Sequence, residues 1–145
     1  MAKSNIPVRK SSGAVVWRTH NGQREILLVR STSGKSWCFP KGGQEKGLTK
    51  RQNATKEVWE EAGVIGHVGD EIARYRFMKE GVQQRVTMFE MECIAVLDLY
   101  PEAEIRARRW FSVADASAKL NAQLREVLEE AIGQLSEDEN DLVFL

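Results

Sequence analysis

The sequence predicts an α/β (α+β) sandwich, a mixed β-sheet lying between helices, and three features predict it. Two runs rich in β-branched and large apolar residues stand near the N-terminus, Ser12 to Arg18 (SGAVVWR) and Glu25 to Arg30 (EILLVR). A capped helical segment follows between Thr49 and Gly63, and further β-like runs lead into a second amphipathic segment, Ala114 to Leu135. Strands and helices in that order cover both faces of a sheet with helices. The 145 residues fit a single domain over 1–145, which should bury ~68–70% of the surface its unfolded chain exposes.

Residues 1–8 are polar and read as a loose arm. Between the first two β-runs, Thr19-His20-Asn21-Gly22 carries the Asn-Gly signal of a tight hairpin. Ser31 to Ser36 is small and polar, a loop. Pro40 holds Phe39 out of helical conformation, so Trp37 to Pro40 is extended. Lys41 to Gly47 contains three glycines and is expected to be irregular, because ordering glycine costs the most backbone freedom. Thr49 is a helix N-cap, and Gln52 completes a capping box. Ala54, Val58 and Ala62 form a buried stripe, and Gly63 suits the left-handed position past the last turn. The helix is about 14 residues and ~21 Å long.

Glu71 to Met78 and Gln84 to Leu97 read as strands with Gly81 in the turn between them. Along the second, Val86, Met88, Glu90 and Glu92 face one way and Thr87, Phe89, Met91 and Cys93 the other. Arg109 to Val113 is a further short strand. Ala114 to Leu135 reads as one amphipathic helix with Leu120, Leu124, Val127, Leu128, Ala131 and Ile132 on its apolar face. The tail, 137–145, is acidic and then apolar, able to dock or to fray.

The 21 basic and 21 acidic residues cancel. No overall field draws the chain to nucleic acid or an acidic membrane, so attraction for an anion has to come from local placement of charge. No stretch nears the ~20 apolar residues of a membrane span, and Met1 to Lys10 lacks the apolar run of a secretory signal. Cys38 and Cys93 have neither metal-ligand nor disulfide-framework spacing and read as reduced, half-buried thiols. The expected setting is the cytoplasm. His20 and His67 lie beside turns with no second ligand nearby and read as solvated groups. Nothing in the sequence sets an oligomeric state.

The chemistry concentrates in Gly42 to Val64, GGQEKGLTKRQNATKEVWEEAGV. Glu57, Glu60 and Glu61 fall at i, i+3 and i+4 of the helix, one patch of its surface. Like charges at that spacing destabilise a helix by a few tenths of a kcal/mol per pair, unless lysine, arginine, solvent or a cation offsets them. Hard divalent cations select carboxylate oxygen, and magnesium completes its shell with water and substrate phosphates. A lone glutamate cluster is more often a solvated helix face, and Lys50 and Lys56 offer partial neutralisation here. What distinguishes this one is its setting: a glycine loop whose amides and carbonyls can reach phosphate and metal, a buried stripe fixing the opposite helix face, and a stop signal directly after the carboxylates.

This segment resembles the Nudix box: Gly, five residues, Glu, seven residues, then Arg-Glu-apolar-x-Glu-Glu-x-Gly-apolar. Gly42, Glu57, Val58, Glu60, Glu61, Gly63 and Val64 match it; Leu48 replaces its first glutamate and Lys56 its arginine. In that family the two replaced side chains commonly interact, and losing both together strands no charged partner. Lysine keeps the charge but not the planar fork, so the metal site is expected to survive, less rigidly held. The likeness runs over about residues 8 to 133. Trp37-x-Phe39-Pro40-Lys41-Gly42-Gly43, Val58-Trp59-Glu60-Glu61-Ala62-Gly63 and Arg106-x-Arg108-Arg109-Trp110-Phe111 resemble the diphosphoinositol-polyphosphate phosphohydrolase branch, which acts on inositol pyrophosphates and dinucleoside polyphosphates.

The resemblance implies a Nudix-type α/β/α sandwich and hydrolysis of a diphosphate bond in a small phosphorylated metabolite, with magnesium, or else manganese, as cofactor. It implies Glu57 and Glu61 as metal ligands, with Glu60 and a carbonyl of the Gly42-Gly43 loop beside them. Glu60 is the expected general base, with Glu57 the alternative. Lys41, Gly43, Arg85, Arg108 and Lys10 are the candidate substrate contacts. Arginine can grip phosphate bidentately, whereas lysine acts as a point charge; Arg9 and Lys10 read more readily as plain surface charges than as contacts. Trp37, Phe39 and Trp110 read as core. Two further readings stay open: a hydrolase of nucleotide sugars or capped RNA, and a Nudix-fold sensor that binds a phosphorylated ligand without cutting it.

Overall fold

The structure is a computed structural model and describes residues 5–143, with side chains through 135. Strands β1 (Val8–His20) and β2 (Gln23–Arg30) form the expected hairpin. Its turn is Asn21-Gly22, with φ of 52° and 76°, the doubly positive pair whose twist matches that of the flanking strands. Pairing runs only from His20↔Gln23 to Trp17↔Ile26, after which the strands fork. The fork is filled by β3 (Trp37–Cys38), paired to β2, and β4 (Lys41–Gly43), paired to β1. Between them the Pro40 carbonyl accepts from the Ala14 amide at 3.2 Å.

Strand β4 corrects the expectation of irregular structure from Lys41 onward. The entropic cost of Gly42 and Gly43 is offset by an antiparallel ladder to Ser11, Ser12 and Gly13. The two backbones run close together here. A Cβ on Gly13 would collide with the Pro40 carbonyl and with Lys41.

β5 (Val64–Lys79) and β6 (Val82–Val96) make a long antiparallel hairpin turned at Glu80-Gly81, with φ of 51° and 78°. β6 runs parallel to β1 from Val8 to Trp17, so the sheet is mixed as predicted, and β7 (Arg108–Ser112) pairs with β2. β5 begins directly after Gly63 rather than at Glu71. Its register shifts at Ile65/Gly66, Val68/Glu71 and Glu71/Ala73, and these interruptions hide a period of two from the sequence.

Helix α1 (Lys50–Ala62) covers one sheet face, packing Val58 and Ala62 on Ala14, Val16, Leu27, Val29 and Met91. α2 (Val113–Lys119) and α3 (Ala122–Val143) cover the other, where Leu120, Leu124, Val127 and Leu128 meet Val15, Ile26, Leu28 and Met88. Alternate residues of β1 serve opposite layers, and each valine or leucine so buried contributes about 1.5–3 kcal/mol. The single helix expected over Ala114 to Leu135 is two. Leu120 is extended, with φ −90° and ψ 151°, and the Asn121 side chain accepts from the Leu124 amide at 2.9 Å, a new N-cap. The apolar spacing survives the break because Leu120 and Leu124 enter the same core.

α3 continues through Val143 into the expected tail, while Phe144 and Leu145 lie outside the described residues. Residues 1–4 of the expected arm also lie outside them. At the arm's end the Pro7 carbonyl accepts from the Gln83 amide at 2.8 Å, tying it to β6. Among the described residues no helix is long and apolar enough to cross a membrane.

Candidate active site

Helix α1 is fixed at both ends by the residues the sequence points to. The Thr49 hydroxyl accepts from the Gln52 backbone amide at 3.1 Å, the Gln52 side-chain Oε1 accepts from the Thr49 backbone amide at 2.9 Å, and Gly63 is left-handed at φ 63°. A tether the sequence did not show lies between them. Asn53 is fully buried; its Nδ2 donates to Ser12 Oγ at 2.8 Å and to the Gly42 carbonyl at 3.3 Å, and its Oδ1 accepts from the Glu45 amide at 3.0 Å. One amide therefore joins α1, β1, β4 and the loop after it.

That tether sets Glu57 and Glu61 against the fork. Gly42 leaves the space in which the Glu57 carboxylate sits, since a Cβ at that position would overlap it. Burial, and then the nearby Glu60 charge, push the Glu57 carboxyl up from its ordinary value. Glu61 is buried, only 8% exposed. Its Oε2 accepts from the Lys41 amide at 3.1 Å, and Arg106 Nη2 stands 3.8 Å from its Oε1, close enough for attraction but not a hydrogen bond. Burial pushes the Glu61 carboxyl up to about 7, and neither Arg106 nor the amide offsets this.

Glu60 departs from the shared patch. It stands 3.4 Å from Lys56 Nζ and is not on the wall that Glu57 and Glu61 share. Among the described residues no three acidic, histidine or cysteine side chains converge in a ready-made metal cage. Lys56 is held in turn by Glu45, 2.6 Å from its Nζ, and that contact is the main reason its ammonium is pushed above the ordinary lysine range. This corrects the expectation that the Leu48 and Lys56 replacements simply delete an ion pair: the carboxylate absent at residue 48 is supplied from residue 45.

Glu57 and Glu61 line a cleft of about 650 Å³ at the fork. Lys41, Gly42 and Gly43 form its floor, with Arg9 beside Gly43. The far wall is aromatic, with Trp37, Phe39, Tyr75 and Phe77. The Tyr75 hydroxyl is buried without a hydrogen-bond partner among the described residues. The sequence assigned no role to Arg106, named only within a motif, or to Glu102. Arg106 Nε donates to Glu102 at 3.1 Å and its Nη1 to the Arg30 carbonyl at 2.8 Å. Both residues come from an irregular segment where no periodicity could flag them.

Three expected substrate contacts are not brought to this cleft. Arg108 donates to the Ala62 and Gly63 carbonyls at 2.7 and 3.3 Å and lies over the Tyr100 ring, closing the C-terminus of α1. Lys10 and Arg85 stand side by side in a separate groove. The cleft itself offers carboxylate oxygen to a hard cation beside main-chain amides and cations suited to phosphate, and the cavity over Gly42 gives Glu57 the reach it needs. A half-buried and a buried carboxyl, both pushed toward the neutral form, are what a divalent cation would relieve, so the donor set fits a hard divalent cation.

A sequence model of the NUDIX domain matches residues 9–131. Nudix hydrolase 17, mitochondrial, of Arabidopsis thaliana is 33% identical over 80% of this chain, which spans 65% of that protein's length. Nudix hydrolase 18, mitochondrial, of the same plant is 32% identical over 84% of the chain, which spans 76% of it. Among solved structures, a Caenorhabditis elegans Ap4A hydrolase binary complex superposes with a TM-score of 0.79 over 89% of this chain and 98% of that one, at 21% identity. That likeness concerns the fold.

Proposed function

The chain belongs to the NUDIX domain family, and from that premise we propose that it is a metal-dependent hydrolase of phosphoanhydride bonds in a small phosphorylated metabolite. The observation that carries the reading is the placement of Glu57 and Glu61 on one cleft wall over a glycine that clears room for a carboxylate. Glu57 and Glu61, with the Gly42 carbonyl as a further donor, would hold magnesium or manganese. Such a cation neutralises phosphate charge and lowers the pKa of a bound water.

The remaining work falls to the chain's own groups. Lys41 and Arg9 neutralise phosphate oxygens at the cleft floor, and the absence of a side chain at Gly43 makes room for the Arg9 guanidinium there. Glu60 leaves Lys56 to take the proton of the attacking water, with Glu57 as the alternative base. Lys10 and Arg85 reach only a substrate that extends into their groove. Arg108 contributes by holding the end of α1 rather than by touching substrate.

Inositol pyrophosphates and dinucleoside polyphosphates are the proposed substrates. The half-buried Trp37 and Phe77 of the cleft wall support a nucleoside moiety, and the cations at the floor support either class. Free, half-buried Cys38 and Cys93 suit a reducing compartment, and we place the protein in the cytoplasm; the relatives named for mitochondria make cell fractionation the check. The deciding experiment is a magnesium-dependent turnover panel of diadenosine polyphosphates, inositol pyrophosphates, nucleotide sugars and capped RNA. Glu60→Gln should lower kcat by ~10²-fold or more with the fold intact. Binding without product on every compound would leave the sensor reading instead.

A further inference from the structure

The charge that cancels over the whole chain does not cancel locally. On the α1 face of the sheet, Lys10, Arg85 and Arg76 occupy one cross-strand row, since Lys10 pairs with Arg85 across β1/β6 and Arg76 with Arg85 across β6/β5. Lys50, the first residue of α1, and Arg74 join them around a groove of about 550 Å³ that has no acidic residue on its wall. Like charges directly opposite one another destabilise a sheet, and neutralisation here is sparse. Glu71 takes Arg74 at 2.9 Å, while Arg85 Nε donates only to the neutral Gln83 at 2.8 Å. Lys10, Lys50 and Arg76 have no carboxylate within ion-pair reach among the described residues; Glu126 and Glu130 line a neighbouring groove with Arg74 and Arg76 without forming an ion pair with either.

We propose that this row is a second anion site, distinct from the glutamate cleft, that takes a compact polyphosphate. Its dimensions select the ligand. Adjacent strands lie ~4.8 Å apart, so the row presents three cations across ~10 Å, a span that matches clustered phosphates. The N-terminus of α1 adds its partial positive charge beside Lys50. A single-stranded nucleic acid fits less well, because such sites need aromatic platforms for the bases, and the one aromatic residue on this wall, Tyr75, is buried. Ser11 and Tyr75 line both groove and cleft, but Lys10, Arg76 and Arg85 alternate with the cleft-lining Ser11, Tyr75 and Gln84 along their strands and face the other side of the sheet, which keeps the two sites apart. The proposal does not depend on hydrolysis.

Isothermal titration calorimetry with inorganic tripolyphosphate, without divalent cation and in a Glu61→Gln background, tests the site apart from turnover. The double variant Arg76→Gln/Arg85→Gln should bind about tenfold more weakly or worse, about 1.4 kcal/mol. A control pair with the same charge loss elsewhere, Arg109→Gln/Lys119→Gln, should bind as before. In the absence of ligand the groove variant should melt no lower than its parent, because a repulsion has been removed. Equal loss in both pairs, or no loss in the groove pair, would overturn the site. Failure of the turnover panel would leave this result untouched.

Discussion

Glu45 Oε2 lies 2.6 Å from Lys56 Nζ, and the same ammonium stands 3.4 Å from Glu60. Lys56 is thus shared between a loop anchor and the proposed base. Releasing the anchor should leave Lys56 to Glu60 alone. Glu45→Gln should keep the melting temperature within about 2 °C, as exposed pairs add little to stability. It should raise the magnesium concentration for half-maximal turnover several-fold, read from a metal titration at fixed substrate. An unchanged titration would mean that Lys56 needs no anchor.

Gly42→Ala places a methyl group where the Glu57 carboxylate rests. Position 42 sits in β4 without a left-handed backbone, so alanine meets no strain from φ and the fold should form. The carboxylate has to move by about an ångström, a displacement able to cost ~10²-fold in rate. The expected result is a near-native circular dichroism spectrum with turnover down by at least tenfold.

Asn53→Ala removes the amide that ties α1 to Ser12, Gly42 and Glu45. Each stranded buried partner costs about 1–3 kcal/mol. A loss near 2–3 kcal/mol corresponds to a melting temperature roughly 5–10 °C lower. Calorimetric melting measures it directly, and metal affinity should fall with it because the loop is no longer held.

Glu61 gives a pH signature in the absence of metal. Its folded carboxyl titrates near 7 against an ordinary 4.5, so between those values the folded chain keeps a proton that the unfolded chain has lost. Stability contributed by that proton is complete below about 4.5 and is lost as pH rises through about 7. The change is on the order of 2–3 kcal/mol. Urea unfolding at pH 5 and pH 8 should show it, Glu61→Gln should abolish it, and magnesium, which favours the ionised carboxylate, should flatten it.

The parts of this protein legible in the sequence are those set by local rules. The Thr49 capping box, the Gly63 stop and the turns at Asn21-Gly22 and Gly81 depend on residues within a few positions of each other, and they stand where local chemistry puts them. The sheet fork, and with it β4, depends on what β1 meets far along the chain, so two adjacent glycines read as a loop although they pair as a strand. The break at Leu120 was hidden because both helices feed one core and preserve one apolar spacing. In the candidate site, the helical spacing of Glu57 and Glu61 was readable. The turn of Glu60 toward Lys56, the Asn53 tether and the separation of Lys10 and Arg85 from the cleft required the third dimension.

The two dislocations within β5, between Val68 and Ala73, bear on how this molecule keeps its own company. β5 closes one margin of the sheet, and a straight, unbroken margin of 16 residues would offer a template for another chain to zip onto. Bulges twist such a margin and put its free amides and carbonyls out of phase with any regular newcomer. The irregularity between Val68 and Ala73 therefore guards against fibrillar stacking at high concentration, a safeguard that straightening the strand by deleting a bulged residue would remove.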